Sequence, residues 1–117
     1  QRRVQELAVV TSNGKLLIYD TATGSSLRTV DAHNGFINCV TYSFDSSTIA
    51  TAADDCTVRL WNADTYACLH TLQHDNVVEA VAFAKLNRSV VASCGEDNFC
   101  KIWNISNEEC LKTLEHN

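Results

Sequence analysis

Proline and methionine are both missing from this chain of 117 residues, and glycine occurs only four times. Disordered linkers and low-complexity tails are built from proline, glycine and polar residues, so these absences argue against either. No apolar run approaches the roughly 20 residues that cross a bilayer, so no membrane span is expected. Positive charge is sparse as well: nine Lys and Arg stand against fourteen Asp and Glu, a net charge of −5. A phosphate-binding surface needs clustered basic residues, and the sequence has no such cluster, so nucleic acid is not expected as a direct partner. What the chain does have, 45% apolar and 20% charged residues, is the balance of an ordinary core-forming protein.

Cysteine is not scarce, but its spacing excludes the usual chemistry. Metal-binding cysteine pairs typically sit about two to four residues apart. Cys39, Cys56, Cys68, Cys94, Cys100 and Cys110 are all more widely spaced. Neither a metal site nor a disulfide framework is expected, and no cofactor is implied. The six read as small buried hydrophobes in strands. Free thiols of that kind suit a reducing compartment, the cytoplasm or the nucleus.

The chain repeats itself. Trp61 and Trp103 stand 42 positions apart, as do Tyr19 and Trp61, His74 and His116, and Cys68 and Cys110; His33 and His74 are 41 apart. Within each period the order is a histidine, an alternating apolar run, a hydroxyl residue, an aspartate and an aromatic residue. The runs Ala50 to Asn62 and Ala92 to Asn104 are close parallels.

This pattern resembles the WD-repeat family of β-propellers, whose repeats of about 40–45 residues each form one four-stranded blade. The resemblance covers essentially the whole chain. It departs from the family pattern where Gly-His is replaced by Ala32-His33 and Gln73-His74, and where Trp-Asp becomes Trp61-Asn62, Trp103-Asn104 and Tyr19-Asp20. The implied fold is all-β, a sector of a propeller with antiparallel blades. Residues 1–32 form a partial blade, 33–73 and 74–115 complete ones, and 116–117 the start of another. Strands b, c and d of the first blade are Glu6 to Thr11, Lys15 to Asp20 and Leu27 to Val30, with Asn13-Gly14 as the hairpin signal. In the second blade the strands are Phe36 to Tyr42, with a bulge between Ile37 and Val40, then Thr48 to Ala53, Thr57 to Trp61 and Cys68 to Leu72. Those of the third are Val77 to Phe83, Ser89 to Cys94, Asn98 to Trp103 and Cys110 to Leu114. Propellers close with about 4–8 blades, so the expectation is a sector completed by a longer chain or by identical copies.

Two sets of residues match the family's hydrogen-bonded tetrad: His33, Thr51, Asp55, Trp61 and His74, Ser93, Asp97, Trp103. An indole N–H can only donate and needs an acceptor when buried, which the hydroxyl supplies. The hydroxyl then donates to one imidazole nitrogen, while the other imidazole nitrogen donates to the carboxylate. His, Asp and a hydroxyl also resemble a hydrolase triad, but a set repeated at blade spacing with its hydroxyl engaged by indole reads as structural. The first blade has Val9, Asn13 and Tyr19 at the matching positions, so it lacks a tetrad and is expected to be the least rigid.

The resemblance further implies protein or peptide binding on a narrow rim. Its positions fall on Phe36, Asn38 and Asp54 in the second blade and on Val77, Glu79 and Glu96 in the third. An apolar anchor amid acidic groups implies a basic partner. The function so read is a non-catalytic interaction scaffold in a multiprotein assembly. The alternative is a sensor or substrate-receptor module of a longer regulatory protein or enzyme.

Overall fold

A computed structural model describes residues 5–87, 89–96 and 98–115. Eleven strands occupy it among the described residues, with no helix. β1 (Glu6–Val10), β2 (Lys15–Asp20) and β3 (Ser26–Asp31) form a three-stranded antiparallel meander. β4 (Ile37–Tyr42), β5 (Thr48–Ala53), β6 (Thr57–Asn62) and β7 (Cys68–Gln73) form a four-stranded one. A second four-stranded sheet follows from β8 (Val78–Phe83), β9 (Val90–Gly95), β10 (Phe99–Asn104) and β11 (Glu109–Glu115). Strand ends differ from the sequence expectation by about one residue, the usual scatter of such boundaries.

The sheets repeat in their irregularities too. A register shift lies between Ile37 and Cys39 and again between Val78 and Ala80, so Asn38 and Glu79 are the extra residues of matching bulges. The outer strand pairs shift just before Tyr19, Trp61 and Trp103. The three inner hairpins each place one residue in the left-handed region: Gly14 (φ 85°), Cys56 (φ 72°) and Asn98 (φ 66°). Glycine is required at the first of these. Its carbonyl accepts from the amides of Ala32 and His33, and a Cβ there would stand 2.0 Å from the His33 carbonyl oxygen.

Side-chain alternation gives every sheet two faces, and the sheets stack face to face. One seam joins Leu16, Ile18 and Ala32 of the first sheet and its exit to Ile37, Ile49, Ala53 and Trp61 of the second. The other joins Ala50, Ala52, Val58, Leu60 and Leu72 to Val78, Val81, Phe83, Val91, Trp103 and Ile105. β8 lies against β4, β5 and β6, whereas β1 meets β4.

The cysteines overturn their sequence reading. Cys94 and Cys100 form a disulfide with a Cα–Cα distance of 4.2 Å. They are directly opposed across the β9–β10 ladder, a pairing that a six-residue separation hides in the sequence. Nor are the free thiols buried. Cys68 opens β7 and Cys110 is the second residue of β11; both are exposed, because no described residue packs outside those outer strands, while Cys39 and Cys56 are half-buried, and Cys56 sits in a turn.

Candidate functional site

The second sheet gathers one of the two histidine sets. The hairpin between β5 and β6 carries Asp55, β5 carries Thr51, β6 ends near Trp61, and the connection from β3 to β4 brings in His33. Trp61 donates its indole N–H to Thr51 Oγ1 at 3.0 Å, and that hydroxyl donates to His33 Nε2 at 2.6 Å. His33 Nδ1 donates to the Asp55 carboxylate, whose oxygens lie at 3.0 and 3.1 Å. The carboxylate also accepts from the backbone amides of Asn34 and Thr57.

A fifth member escaped sequence reasoning. The Thr57 hydroxyl lies 3.1 Å from His33 Nδ1 and donates to Asp55 Oδ1 at 2.7 Å. A hydroxyl two residues past the carboxylate was the available signal, and it is particular to this sheet because Phe99 stands at the matching position of the third. Arg59, also missed, donates to the Ala32 carbonyl and holds the connection that presents His33.

Burial sets the protonation of this network. It pulls the His33 imidazole below its ordinary value, against the opposing pull of Asp55, so the ring is held neutral, as two-sided bonding to Thr51 and Asp55 needs. Burial alone would raise the Asp55 carboxyl, but hydrogen bonds from Thr57 and His33 outweigh it and keep the group below its ordinary value. Thr51 has no exposed surface. A hydroxyl so enclosed is out of a substrate carbonyl's reach.

In the third sheet Trp103 donates to Ser93 Oγ at 2.9 Å, and Ser93 Oγ lies 2.5 Å from His74 Nε2. The His74 ring leans on Trp103 with centroids 5.8 Å apart. Asp97, the expected carboxylate of this set, lies outside the described residues, as does His116. In the first sheet Val9 and Tyr19 are half-buried, and Asn13 bonds to Thr11 within its own turn.

The six rim positions lie along one end of the sheets, beside the hairpins that carry Asp55 and Glu96. Phe36 is 50% exposed. Asn38, the bulged residue, is pinned by its side-chain amide, which donates to Asp54 Oδ1 at 2.8 Å and to the Val78 carbonyl at 2.9 Å. The amides of Asp54 and Glu96 donate to the carbonyls of Phe36 and Val77, which ties each turn to the start of its inner strand. Asp54, Glu79 and Glu96 are exposed, and Val77 is half-buried. This end therefore shows one aromatic ring among three carboxylates. Among the described residues no group of His, Cys, Asp and Glu could hold a metal ion, and no helix is long and apolar enough to cross a membrane.

The family described as WD domain, G-beta repeat matches residues 24–62 and 66–104, together well over half of the chain. The chain belongs to this WD-repeat family. Among its relatives is the periodic tryptophan protein 2 of Arabidopsis thaliana, 41% identical over 71 residues, covering 60% of this chain and 8% of that protein. Another is the eukaryotic translation initiation factor 3 subunit I of Caenorhabditis briggsae, 30% identical over 70 residues, covering 60% of this chain and 21% of its own. The WD-repeat chain thus spans less than a quarter of the length of either relative. The solved structure of U3-55K superposes with a TM-score of 0.89 at 18% identity, covering 96% of this chain and 36% of that one, which establishes the shared fold. The all-β propeller sector implied by the resemblance is the architecture found.

Proposed function

We propose that this WD-repeat chain is a non-catalytic scaffold that presents its rim to a basic protein segment within a multiprotein assembly. The observation that carries the reading is the rim itself: a half-exposed Phe36 just before the bulge at Asn38, flanked by Asp54, Glu79 and Glu96. A rigid aromatic anchor loses little conformational freedom on binding, and carboxylates around it favour Lys and Arg while repelling acidic competitors. The His33 network has its place in this reading: it holds the hairpin that carries Asp55 to the sheet interior.

The test is a peptide array probed with the full-length protein. Peptides pairing an apolar residue with Lys or Arg should be retained. Phe36→Ala should weaken their capture at least tenfold, and Glu79→Lys with Glu96→Lys should abolish it. Charge reversal that leaves capture unchanged would sink the basic-partner reading.

A second reading rests on the length of the relatives. There the sector is one part of a longer regulatory protein or enzyme, serving as its sensor or substrate receptor, with further blades covering the open faces marked by exposed Leu7 and Leu114. Identical copies could cover the same faces. Light scattering on the isolated 117 residues separates the two: a discrete small oligomer with cooperative unfolding supports copies, and aggregation supports a longer chain. The compartment we propose is the cytoplasm or nucleus, which suits the free thiols of Cys39, Cys56, Cys68 and Cys110, while the Cys94–Cys100 disulfide is the one feature that favours an oxidising compartment. A fluorescently tagged full-length protein found in the secretory pathway would refute it.

A further inference from the structure

The outermost strands of the sheets repeat a threonine. Thr29, Thr71 and Thr113 stand 42 positions apart, each exposed and each on β3, β7 or β11. Their ladder partners differ: Thr29 is directly opposite Leu17, Thr71 opposite Arg59 and Thr113 opposite Lys101. Directly opposed residues share a face of the sheet, with Cβ atoms about 4.5–5.5 Å apart. The same hydroxyl is thus offered beside a hydrocarbon in the first sheet and beside a cation in the other two.

The cation beside Thr71 is short of acceptors. Arg59 donates through one Nη to the Ala32 carbonyl, and its Nε is enclosed without a partner. It makes no ion pair among those described. The acidic groups of the adjoining connection and turn are engaged elsewhere, Asp31 with Lys15 and Asp55 with His33 and Thr57. On β7 itself, His70 is directed to Glu108 of the third sheet's outer turn. A buried donor left unpaired carries a desolvation cost that an added acceptor removes. Lys101 differs, since its Nζ has the Trp103 ring at 5.9 Å. Thr71 can also be reached. β7 pairs with β6 on one side and with no strand on the other among the described residues. An extended chain with one free edge is what other proteins take up by strand addition. The Thr71 hydroxyl is itself lightly held, its described contact being Cys68 Sγ at 3.8 Å.

We propose that Thr71 is a phosphorylation site whose phosphate pairs with Arg59. A protein kinase transfers the terminal phosphoryl group of a nucleoside triphosphate. A bond forms between Thr71 Oγ1 and the γ-phosphorus, while the bond from that phosphorus to its bridging oxygen breaks. The hydroxyl proton passes to a base of the kinase, and the nucleoside diphosphate leaves with the bonding pair. The product carries about −1.5 to −2 charges at pH 7 and strong acceptor oxygens. A guanidinium meets them with a planar set of donors suited to phosphate. Because Arg59 also holds the Ala32 carbonyl, the phosphate ties β7 to the connection that presents His33. A carboxylate from a partner protein is the competing occupant, and it would leave Thr71 unmodified.

The experiment uses the full-length protein with phosphothreonine installed at position 71 by genetic-code expansion, beside a second sample with it at position 29. In phosphorus NMR the last proton of the phosphate at 71 should leave about half a pH unit or more below that at 29, because the cation favours the dianion. Arg59→Gln should abolish the difference, and Arg59→Lys, which keeps the charge, should retain part of it. The urea midpoint should rise on phosphorylation at 71 and not at 29. Equal titration of the two phosphates, or a difference untouched by Arg59→Gln, would overturn the pairing. Phosphopeptide mass spectrometry of the protein from its native cells, kept in phosphatase inhibitors, should find phosphate on Thr71 and at least tenfold less on Thr29. Thr71 without phosphate there would overturn the modification and leave Arg59 to a partner's carboxylate.

Discussion

The two seams of the molecule are built from the same repeat and yet are held differently. The seam between the second and third sheets is mainly apolar: Leu60, Val58 and Leu72 meet Val78, Val91, Phe83 and Trp103, with the Asn38 amide on the Val78 carbonyl at its rim end and the His70–Glu108 contact at its outer edge. The seam between the first and second sheets has less fully buried apolar material to offer, since Leu16, Ile18 and Ala32 are what the first sheet buries there, with Ala8, Val10 and Val30 packed against them only partly buried. A polar latch is added there instead. Tyr66 donates its hydroxyl to Glu6, and the Arg28 guanidinium lies over the Tyr66 ring at 4.9 Å while reaching the Thr65 carbonyl. Burial and the Glu6 carboxylate push the Tyr66 phenol well above its ordinary value, so it stays a donor throughout the working pH range. A repeat sets which face looks where; what each seam is made of depends on the residues each copy happens to carry.

The contrast can be broken at its strongest point first. Leu60 is fully buried in the apolar seam. Leu60→Ala should cost about 2–5 kcal/mol of unfolding free energy in urea, the transfer and cavity terms together. A loss below about 1 kcal/mol would mean that the seam collapses around the gap and is softer than its packing implies.

A smaller effect is expected in acid. The folded state holds His33 neutral, whereas the unfolded chain takes up a proton near the ordinary value of 6.5, so stability should fall as pH drops below about 6.5. Asp55 adds to the same slope lower down: its depressed value stabilises the fold above the ordinary 3.8, and that share is lost as pH falls through the folded value. Urea midpoints at pH 7 and pH 5 should differ for the wild type, and less for His33→Asn. Identical differences in the two proteins would remove His33 from the account.

Smallest is the latch. Tyr66→Phe keeps the ring under Arg28 and deletes one partly buried hydrogen bond, so it should cost about 0.5–1.5 kcal/mol. No measurable change would mark the latch as incidental to the seam.

Much of this architecture was legible in the sequence because a blade advertises itself by period. The 42-residue return of Tyr19, Trp61 and Trp103, the Asn13-Gly14 hairpin and the 3-then-2 spacing of Ile37, Val40 and Tyr42 each translate into a local geometric demand. The disulfide was not legible, because Cys94 and Cys100 become neighbours only once the register across a tight hairpin is known. Thr57 was missed for a related reason: its hydroxyl matters only because the turn folds it back over Asp55. Rim positions such as Phe36 and Glu79 could be proposed from the repeat alone, whereas the exposure of Leu86 depends on how far its loop projects, which nothing in its neighbours' identities states.

The loop that carries Leu86 has one more consequence. The histidines are 41 apart where the tryptophans are 42, and the extra residue is taken up between β8 and β9, leaving the ladders on either side in step. That loop is slack in the chain's bookkeeping of length, a spot where material can be added without disturbing the neighbours. A fluorophore-bearing segment or an affinity tag spliced in between Lys85 and Leu86, clear of the turn that Asn87 closes by accepting from the amides of Ser89 and Val90, should ride on the sector as a passive cargo, which gives a handle for following it inside a larger assembly.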